Sequence, residues 1–304
     1  MIEGQEGVTW EQWVALARAC EEHGLEGLFR SDHYVSIDEP GRHGALEAWS
    51  TLAALGPLTS RIRLGVLVSP VTFRHPSLLA RAVVTADHTS GGRVELGMGA
   101  GWYEREHQEY GFPYPDNRTR LEILEEQLEV VHGQMRDETF DFEGKHYRLR
   151  GLRAHPAPVQ RPHPPLILGG TAGPRSVALA ARFADEYNTI HVGPEECRTR
   201  RSRLAEACER AGRDPSSLRF SLMTACIVGR DRDDLAERVR RAGGDDPVAF
   251  ADSHPGWLVG TAAEVVERLG ELEAAGVDRV MLQHHAHEDL DMVAVIGNEI
   301  VPAI

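Results

Sequence analysis

A carboxylate and an imidazole stand side by side at Asp32 and His33, directly after a short apolar strand predicted at 27–31. A carboxylate beside an imidazole can position a proton donor or acceptor whose pKa lies in the physiological range. The alternative interpretation is an aspartate that caps a helix, followed by a solvent-exposed histidine in a loop. The spacing alone leaves both interpretations open.

A glycine-rich turn at 169–173, followed by Pro174 and Arg175, predicts an anion site. Glycines allow the backbone to approach a ligand closely, and a proline at the first helical position fixes where the helix begins. The free N–H groups and the helix dipole then favour a negative charge, with Arg175 one residue into the helix. We therefore expect a phosphate-bearing cofactor at this turn. The alternative is a tight turn that needs glycine only for packing.

Three histidines cluster near the end of the chain, at His284, His285 and His287. Such residues are possible metal ligands, and a metal-dependent barrel hydrolase built around His285 and His287 is one hypothesis. His-x-His pairs in those hydrolases usually lie at the first strand, where this chain reads Glu-Gly-Gln-Glu at 3–6. We therefore favour a pocket-lining or surface role for the histidines and predict no metal site.

The elements that must position these groups alternate regularly between an amphipathic helix, a glycine stop and a short apolar strand. This alternation indicates an α/β fold with parallel strands and right-handed crossovers. Seven strands follow the first helix, so a closed (β/α)8 TIM barrel needs residues 1–4 as its first strand, apparently shortened relative to related chains. The competing fold is an open doubly wound sheet. It is disfavoured because the first strand is not followed by G-x-G-x-x-G, and 97–101 reads G-x-G-x-G.

The segment 139–165 interrupts the alternation, since it is rich in Pro, His and Arg and contains a hairpin-like stretch at 140–147. We interpret it as an insertion after the fourth helix rather than a linker, because strand and helix alternate again from Leu166 onward. The prediction is therefore a single domain over 1–304.

Composition excludes several classes of protein. The chain has 304 residues and a formal net charge of −14, which argues against binding to nucleic acid. No apolar run approaches the roughly 18 residues of a membrane span, and the acidic start lacks the features of a signal peptide. The four cysteines form no C-x-x-C pair. We expect a cytoplasmic protein that acts on a small molecule and binds neither nucleic acid nor membrane.

Several motifs in a fixed order carry a resemblance that covers nearly the whole chain. They are Ser31-Asp32-His33 and the stretches 61–65, 72–76, 91–102 and 169–176. The sequence resembles the luciferase-like monooxygenase superfamily, and more narrowly its coenzyme F420-dependent oxidoreductases. The resemblance implies a (β/α)8 barrel that holds the deazaflavin F420, or FMN in sister branches, across the carboxyl ends of the strands. It also implies a homodimer, because relatives are commonly dimers.

The resemblance further implies the roles of individual residues. His33 would be the catalytic proton donor or acceptor beside the carbon that exchanges the hydride. A non-prolyl cis peptide between Leu67 and Val68 would support the back of the cofactor ring, and two short stretches would hold its phosphate and anionic tail. The implied cofactor-binding residues are Asp32, Leu67, Val68, Ser69, Ala100, Gly101, Arg105, Gly170, Ala172, Gly173 and Arg175.

The predicted function is hydride transfer between F420 and a small organic substrate. In the sugar-phosphate dehydrogenases of this superfamily a glutamate acts as a second acid where this chain has Trp102, and lysines bind the substrate phosphate. Lys145 is the only lysine here, so oxidation of glucose 6-phosphate is not expected. The nearest alternative is an FMN-dependent monooxygenase that uses a separate reductase.

Overall fold

The structure is a computed structural model that describes residues 1–39, 41–136 and 139–304. Its strands are β1 (Gly27–Arg30), β2 (Arg63–Pro70), β3 (Val94–Gly99), β4 (Phe140–Glu143), β5 (Arg148–Leu152), β6 (Leu166–Gly169), β7 (Glu186–Ile190), β8 (Arg219–Gly229), β9 (Leu258–Thr261) and β10 (Arg279–Gln283). Its α-helices are α1 (Trp10–Glu22), α2 (Ala48–Leu55), α3 (Pro76–Thr89), α4 (Glu104–Tyr110), α5 (Asn117–Arg136), α6 (Pro174–Phe183), α7 (Pro194–Arg210), α8 (Arg232–Arg241), α9 (Pro247–Ser253), α10 (Ala262–Ala274) and α11 (Leu290–Val295).

The main sheet is parallel and curls round until its two edges meet. Its strands follow the order β1-β2-β3-β6-β7-β8-β10, and β9 pairs with the far end of β8. The first two residues join the edges: the Ile2 N–H donates to Phe29 O at 2.9 Å, and the Met1 amino group donates to Leu282 O at 2.8 Å. The hydrogen-bonded ring therefore passes from β10 through Met1 and Ile2 to β1.

The sequence predicted a strand at 1–4 in this position, and the structure reduces it to a single bridge between Ile2 and Arg30. The chain turns directly afterwards, where the Glu6 N–H donates to Glu3 O at 3.1 Å. That turn takes Gly4 away from the neighbouring strand backbone and ends the pairing.

The helices bury their apolar faces against the outside of the curled sheet. Helix α1 illustrates the pattern, since Thr9 and Gln12 form the predicted capping box and Trp13, Leu16 and Cys20 are buried. On the inner face of the curled sheet, a second apolar cluster contains one side chain from each of five strands: Phe29, Leu67, Ile167, Met223 and Met281.

Charged side chains fill the interior at the amino ends of the strands. Arg279 on β10 lies 2.7 Å from Glu95 on β3 and 3.2 Å from Glu186 on β7. These strands lie on different sides of the ring. The three side chains therefore fill the interior of the ring at the amino ends of the strands. The carboxyl ends of the strands are therefore the end where a ligand can approach.

The segment 139–165 contains an antiparallel hairpin, as predicted, but with different limits. Strand β4 pairs with β5, so the predicted stretch 140–147 covers only the first strand and the turn. The Glu126 carboxylate on α5 accepts hydrogen bonds from the N–H groups of Lys145, His146 and Tyr147, which fixes the hairpin turn on that helix.

Four elements were missing from the sequence prediction: α4, α8, α9 and β9. Helices α4 and α9 have seven residues each and β9 has four, so none presents a clear apolar period. Helix α8 is strongly charged and buries only Leu235, Arg238 and Val239. In the described part of the chain, none of the helices has the length and apolar character needed to cross a membrane.

Candidate functional site

His33 lies just beyond the carboxyl end of β1 and pairs with a buried carboxylate from another part of the chain. Its Nδ1 atom is 2.7 Å from Oε1 of Glu106, and Oε2 of Glu106 accepts the Tyr34 N–H at 3.0 Å. Glu106 lies in the first turn of α4 and is fully buried. A carboxylate can only accept, so Nδ1 carries the proton and Nε2 is left for a ligand.

The surroundings of His33 raise the pKa of its imidazole above its ordinary value. Burial alone would lower this pKa, but the hydrogen bond and charge of Glu106, with smaller contributions from Glu3 and Asp32, outweigh that effect. Trp102 and Tyr103 meet the imidazole edge to face, with ring centroids 5.6 and 6.0 Å away. These contacts hold the imidazole in one orientation.

Asp32 also follows the carboxyl end of β1, and its carboxylate is bound by two side chains. Its Oδ1 accepts from Arg74 Nη2 at 3.0 Å, and its Oδ2 accepts from Arg74 Nη1 at 2.5 Å and from Ser69 Oγ at 2.8 Å. Ser69 in turn accepts from Trp49 Nε1 at 2.9 Å. The interpretation of Asp32 as a helix cap is therefore wrong, since its oxygens bind side chains from β2 and the loop that follows.

The peptide bond between Leu67 and Val68 is cis, as the resemblance implied. The pairing of β2 with β3 shifts register there, between Val66 and Ser69. The Val68 side chain occupies space that only glycines leave free, because a Cβ built on Gly97, Gly99 or Gly169 would lie 2.9, 2.7 or 3.2 Å from its methyl groups. The glycines on β3 and β6 thus accommodate the side chain that follows the cis bond.

The glycine turn after β6 leads into α6, and Pro174 occupies the first helical turn as predicted. Gly173 is the N-cap residue and has no side chain that could cap the helix, so the amides of the first turn keep their hydrogen-bonding capacity for a ligand. A Cβ built on Gly173 would meet no atom within 4 Å, so the space beside it is open. At Gly170 the packing explanation holds instead, because a Cβ would lie 2.6 Å from Tyr187 Oη.

The two arginines assigned to the anionic part of a cofactor both form salt bridges. Arg175 Nη2 lies 3.2 Å from Glu125, and Arg105 Nε lies 2.7 Å from Glu109. Both guanidinium groups are partly exposed, so a phosphate can compete for them. Ala100 and Gly101 follow β3 directly, and Gly101 has a φ of +80°, a conformation that favours glycine.

The three histidines near the carboxyl end of β10 contact different partners. His284 is buried and its Nε2 lies 3.1 Å from Asp289 O, whereas His285 stacks on Trp257 with ring centroids 5.4 Å apart. Within 1–39, 41–136 and 139–304, no three His, Cys, Asp or Glu side chains converge so as to hold a metal ion. His284 is buried, whereas His285 is exposed to solvent.

Three residues of this site were not predicted from the sequence: Glu106, Arg74 and Tyr187. Two of them lie in or near the motifs that carry the family resemblance. Arg74 belongs to the stretch 72–76, and Glu106 follows the stretch 91–102 by four residues. The available signal for Glu106 was an acidic residue in the first turn of a helix that follows a strand end, where carboxylates are stabilised. Nothing in the sequence paired it with His33.

Comparison with known proteins identifies the family to which the chain belongs. The sequence model of the family described as luciferase-like monooxygenase matches residues 2–279. The chain belongs to the luciferase-like monooxygenase family. Among its luciferase-like relatives is a protein of Nakamurella multipartita named F420-dependent glucose-6-phosphate dehydrogenase, which is 28% identical over 95% of this chain and 91% of that protein.

Two solved structures share the luciferase-like fold with this chain. One is an F420-dependent secondary alcohol dehydrogenase in complex with an F420-acetone adduct, with a TM-score of 0.83, 20% identity and coverage of 100% of this chain and 98% of that one. The other is the monooxygenase RslO1 from Streptomyces bottropensis, with a TM-score of 0.81, 22% identity and coverage of 96% and 93%. At these identities the two structures establish the fold.

Proposed function

We propose that this luciferase-like protein is an F420-dependent oxidoreductase that transfers a hydride between F420 and a small organic substrate. The observation that carries the proposal is the His33–Glu106 pair, which presents a free imidazole Nε2 at the carboxyl end of the parallel strands. The glycine turn before α6 follows β6 at that same end. The name of the Nakamurella multipartita relative supports F420 as the cofactor. We treat residues 1–304 as one catalytic domain, with 139–165 as an insertion.

The residues present fit a cofactor that carries a phosphate. The uncapped start of α6, the open space beside Gly173 and the half-exposed Arg175 together provide N–H donors and positive charge for an anion. We propose that Gly170, Ala172, Gly173 and Arg175 hold the phosphate and tail.

The remaining residues of the predicted set complete that site. Ala100, Gly101 and Arg105 would line the phosphate side, and Asp32, Leu67, Val68 and Ser69 would line the ring side. Asp32 contributes there by fixing Ser69 and Arg74, because both of its oxygens are already engaged by those two side chains. When bound, F420 supplies two-electron hydride chemistry and resists one-electron reactions.

The protein contributes orientation and one proton. Nε2 of His33 takes the hydroxyl proton when a substrate alcohol is oxidised, or gives a proton to the carbonyl oxygen in the reverse direction. Glu106 keeps the proton on Nδ1 and stabilises the imidazolium form. Trp102 and Tyr103 hold the imidazole ring in place through edge-to-face contacts.

The substrate we propose carries no phosphate. Lys145 is the only lysine in the chain, and its Nζ lies 2.7 Å from Glu122, in the contact between the β4–β5 hairpin and α5. Trp102 stands beside His33 and offers an indole where a second acid would be needed. We therefore expect small neutral alcohols and carbonyl compounds rather than sugar phosphates.

A panel of small alcohols and ketones, each mixed with the protein and either oxidised or reduced F420, tests the proposal. Absorbance of the oxidised cofactor reports hydride transfer in either direction. We expect at least one neutral member to be turned over and glucose 6-phosphate to be inactive. Oxygen consumption with reduced FMN, combined with no turnover of F420, would instead establish the FMN-dependent monooxygenase alternative, which the family relationship and the fold shared with RslO1 keep open.

A further inference from the structure

A buried tyrosine hydroxyl contacts the glycine turn from the neighbouring strand. Tyr187 on β7 is fully buried, and its Oη accepts the Ala172 N–H at 2.8 Å. The same oxygen is 2.9 Å from Ser176 Oγ, which lies 3.1 Å from Gly173 O. Tyr187 is thus connected to the turn at Ala172 and to the first turn of α6 through Ser176.

The chemistry of these groups fixes the direction of the hydrogen bonds. The backbone N–H of Ala172 can only donate, and the carbonyl of Gly173 can only accept. The hydroxyls between them are therefore satisfied in one order, in which Ala172 donates to Tyr187, Tyr187 donates to Ser176, and Ser176 donates to Gly173. Both ends of this chain of hydrogen bonds lie in the turn that precedes Pro174.

The turn needs such support because of its backbone conformation. Ala172 has a φ of +54°, in the left-handed region that residues with a side chain seldom adopt, and it is buried. Gly170 is compatible with the hydroxyl only as glycine, since a Cβ there would lie 2.6 Å from Tyr187 Oη. Glycine at position 170 therefore leaves room for the Tyr187 hydroxyl, and this hydroxyl holds the Ala172 amide in place.

We infer that Tyr187 is a positioning residue that fixes the 170–173 turn and the start of α6 for the cofactor phosphate; this inference rests on the function proposed above. Removing the hydroxyl leaves the Ala172 amide buried without an acceptor and releases the turn from Ser176. His33 follows β1, whereas Tyr187 acts at the loop after β6, so the effect is confined to the phosphate end of the site.

The test is Tyr187→Phe, which removes only the hydroxyl. Dissociation constants are measured for F420 and for the phosphate-free deazaflavin that ends at the ribityl hydroxyl. We expect F420 to bind about five- to tenfold more weakly and the phosphate-free compound to change by at most about twofold. Amide hydrogen exchange at Ala172 should accelerate. The KM for F420 should rise while kcat at saturating F420 stays within about twofold.

Two further variants keep the test decisive. Tyr147→Phe removes a partly buried hydroxyl, which lies 2.7 Å from Gln127 Nε2, and should leave both dissociation constants and the Ala172 exchange rate unchanged. Ser176→Ala removes only the hydrogen bond between Tyr187 and Ser176. It should therefore cause the same selective loss of F420 affinity, but a smaller one. This variant decides the test if Tyr187→Phe does not fold.

The possible failures are distinguishable. Equal losses for both deazaflavins in Tyr187→Phe, or no loss for either, would overturn the inference and leave the proposed function intact. A wild-type protein that binds neither F420 nor the phosphate-free compound would overturn the proposed function, and the inference with it.

Discussion

Nδ1 of His33 and Oε1 of Glu106 lie 2.7 Å apart, although 73 positions separate the two residues in the chain. This contact joins the loop after β1 to the first turn of α4, which begins beyond β3. The protonation of the imidazole is therefore controlled by a helix that the pattern of apolar residues did not reveal.

Replacing Glu106 by glutamine should lower the pKa of His33. The carboxylate that raises this pKa would be gone, whereas burial, which lowers it, would remain. The limb of the pH–rate profile that reports His33 should accordingly move to lower pH. Steady-state rates across pH, measured for wild type and Glu106→Gln, check the direction. Glu104→Gln, an exposed change in the same helical turn, is the matched control, and an unshifted limb in Glu106→Gln would refute the pairing.

Replacing His33 by glutamine should reduce kcat by about 10²- to 10⁴-fold, the range typical of a lost general acid or base. The dissociation constant for F420 should change little, because the proposed phosphate contacts are untouched. Rapid-mixing and equilibrium binding measurements separate the two effects. His23→Gln removes an exposed imidazole at the end of α1, where it contacts Asn298, and should leave turnover unchanged. Wild-type turnover by His33→Gln would exclude the proton-transfer role.

Replacing Arg74 by methionine should destabilise the protein strongly. Asp32 is 1% exposed in the salt bridge with Arg74, and loss of one partner from a buried pair typically costs about 3–5 kcal/mol. Urea denaturation reports the free energy of unfolding. Arg42→Met breaks the exposed salt bridge with Glu39 and should cost at most about 1 kcal/mol. Similar losses for the two variants would show that the Asp32 contact is not structural.

Replacing Arg175 by alanine should weaken F420 binding by about three- to tenfold, because a charged donor at the start of α6 is lost. Arg182 lies on the same helix and pairs with the same carboxylate, Glu125, but seven positions further along. Arg182→Ala therefore removes the same kind of charge at a distance from the turn and should leave affinity unchanged. Equal effects of the two substitutions would point to general electrostatics rather than a phosphate contact.

Local features of the site were predictable from sequence because short-range chemistry determines them. The capping box of α1 and the proline at the start of α6 follow from neighbouring residues. The cis bond at Leu67–Val68 came from the family resemblance and is confirmed.

The features that were not predictable depend on contacts between distant parts of the chain. The predicted strand at 1–4 lies in the expected position, but its pairing is limited to Met1 and Ile2, and the turn that ends it was not predicted. Arg74 reaches Asp32 across 42 positions, and Tyr187 reaches Ala172 across 15. Such pairings depend on how the sheet curls, and periodicity along the chain carries no information about them.

Titration of the purified protein in parallel with F420 and FMN tests the central claim most directly. The account predicts that F420 binds more tightly than FMN, as the proposed F420-dependent function requires. It also predicts that inorganic phosphate competes with F420, because the start of α6 and Arg175 hold the phosphate of the cofactor. Tighter binding of FMN, or no binding of either compound, would contradict it.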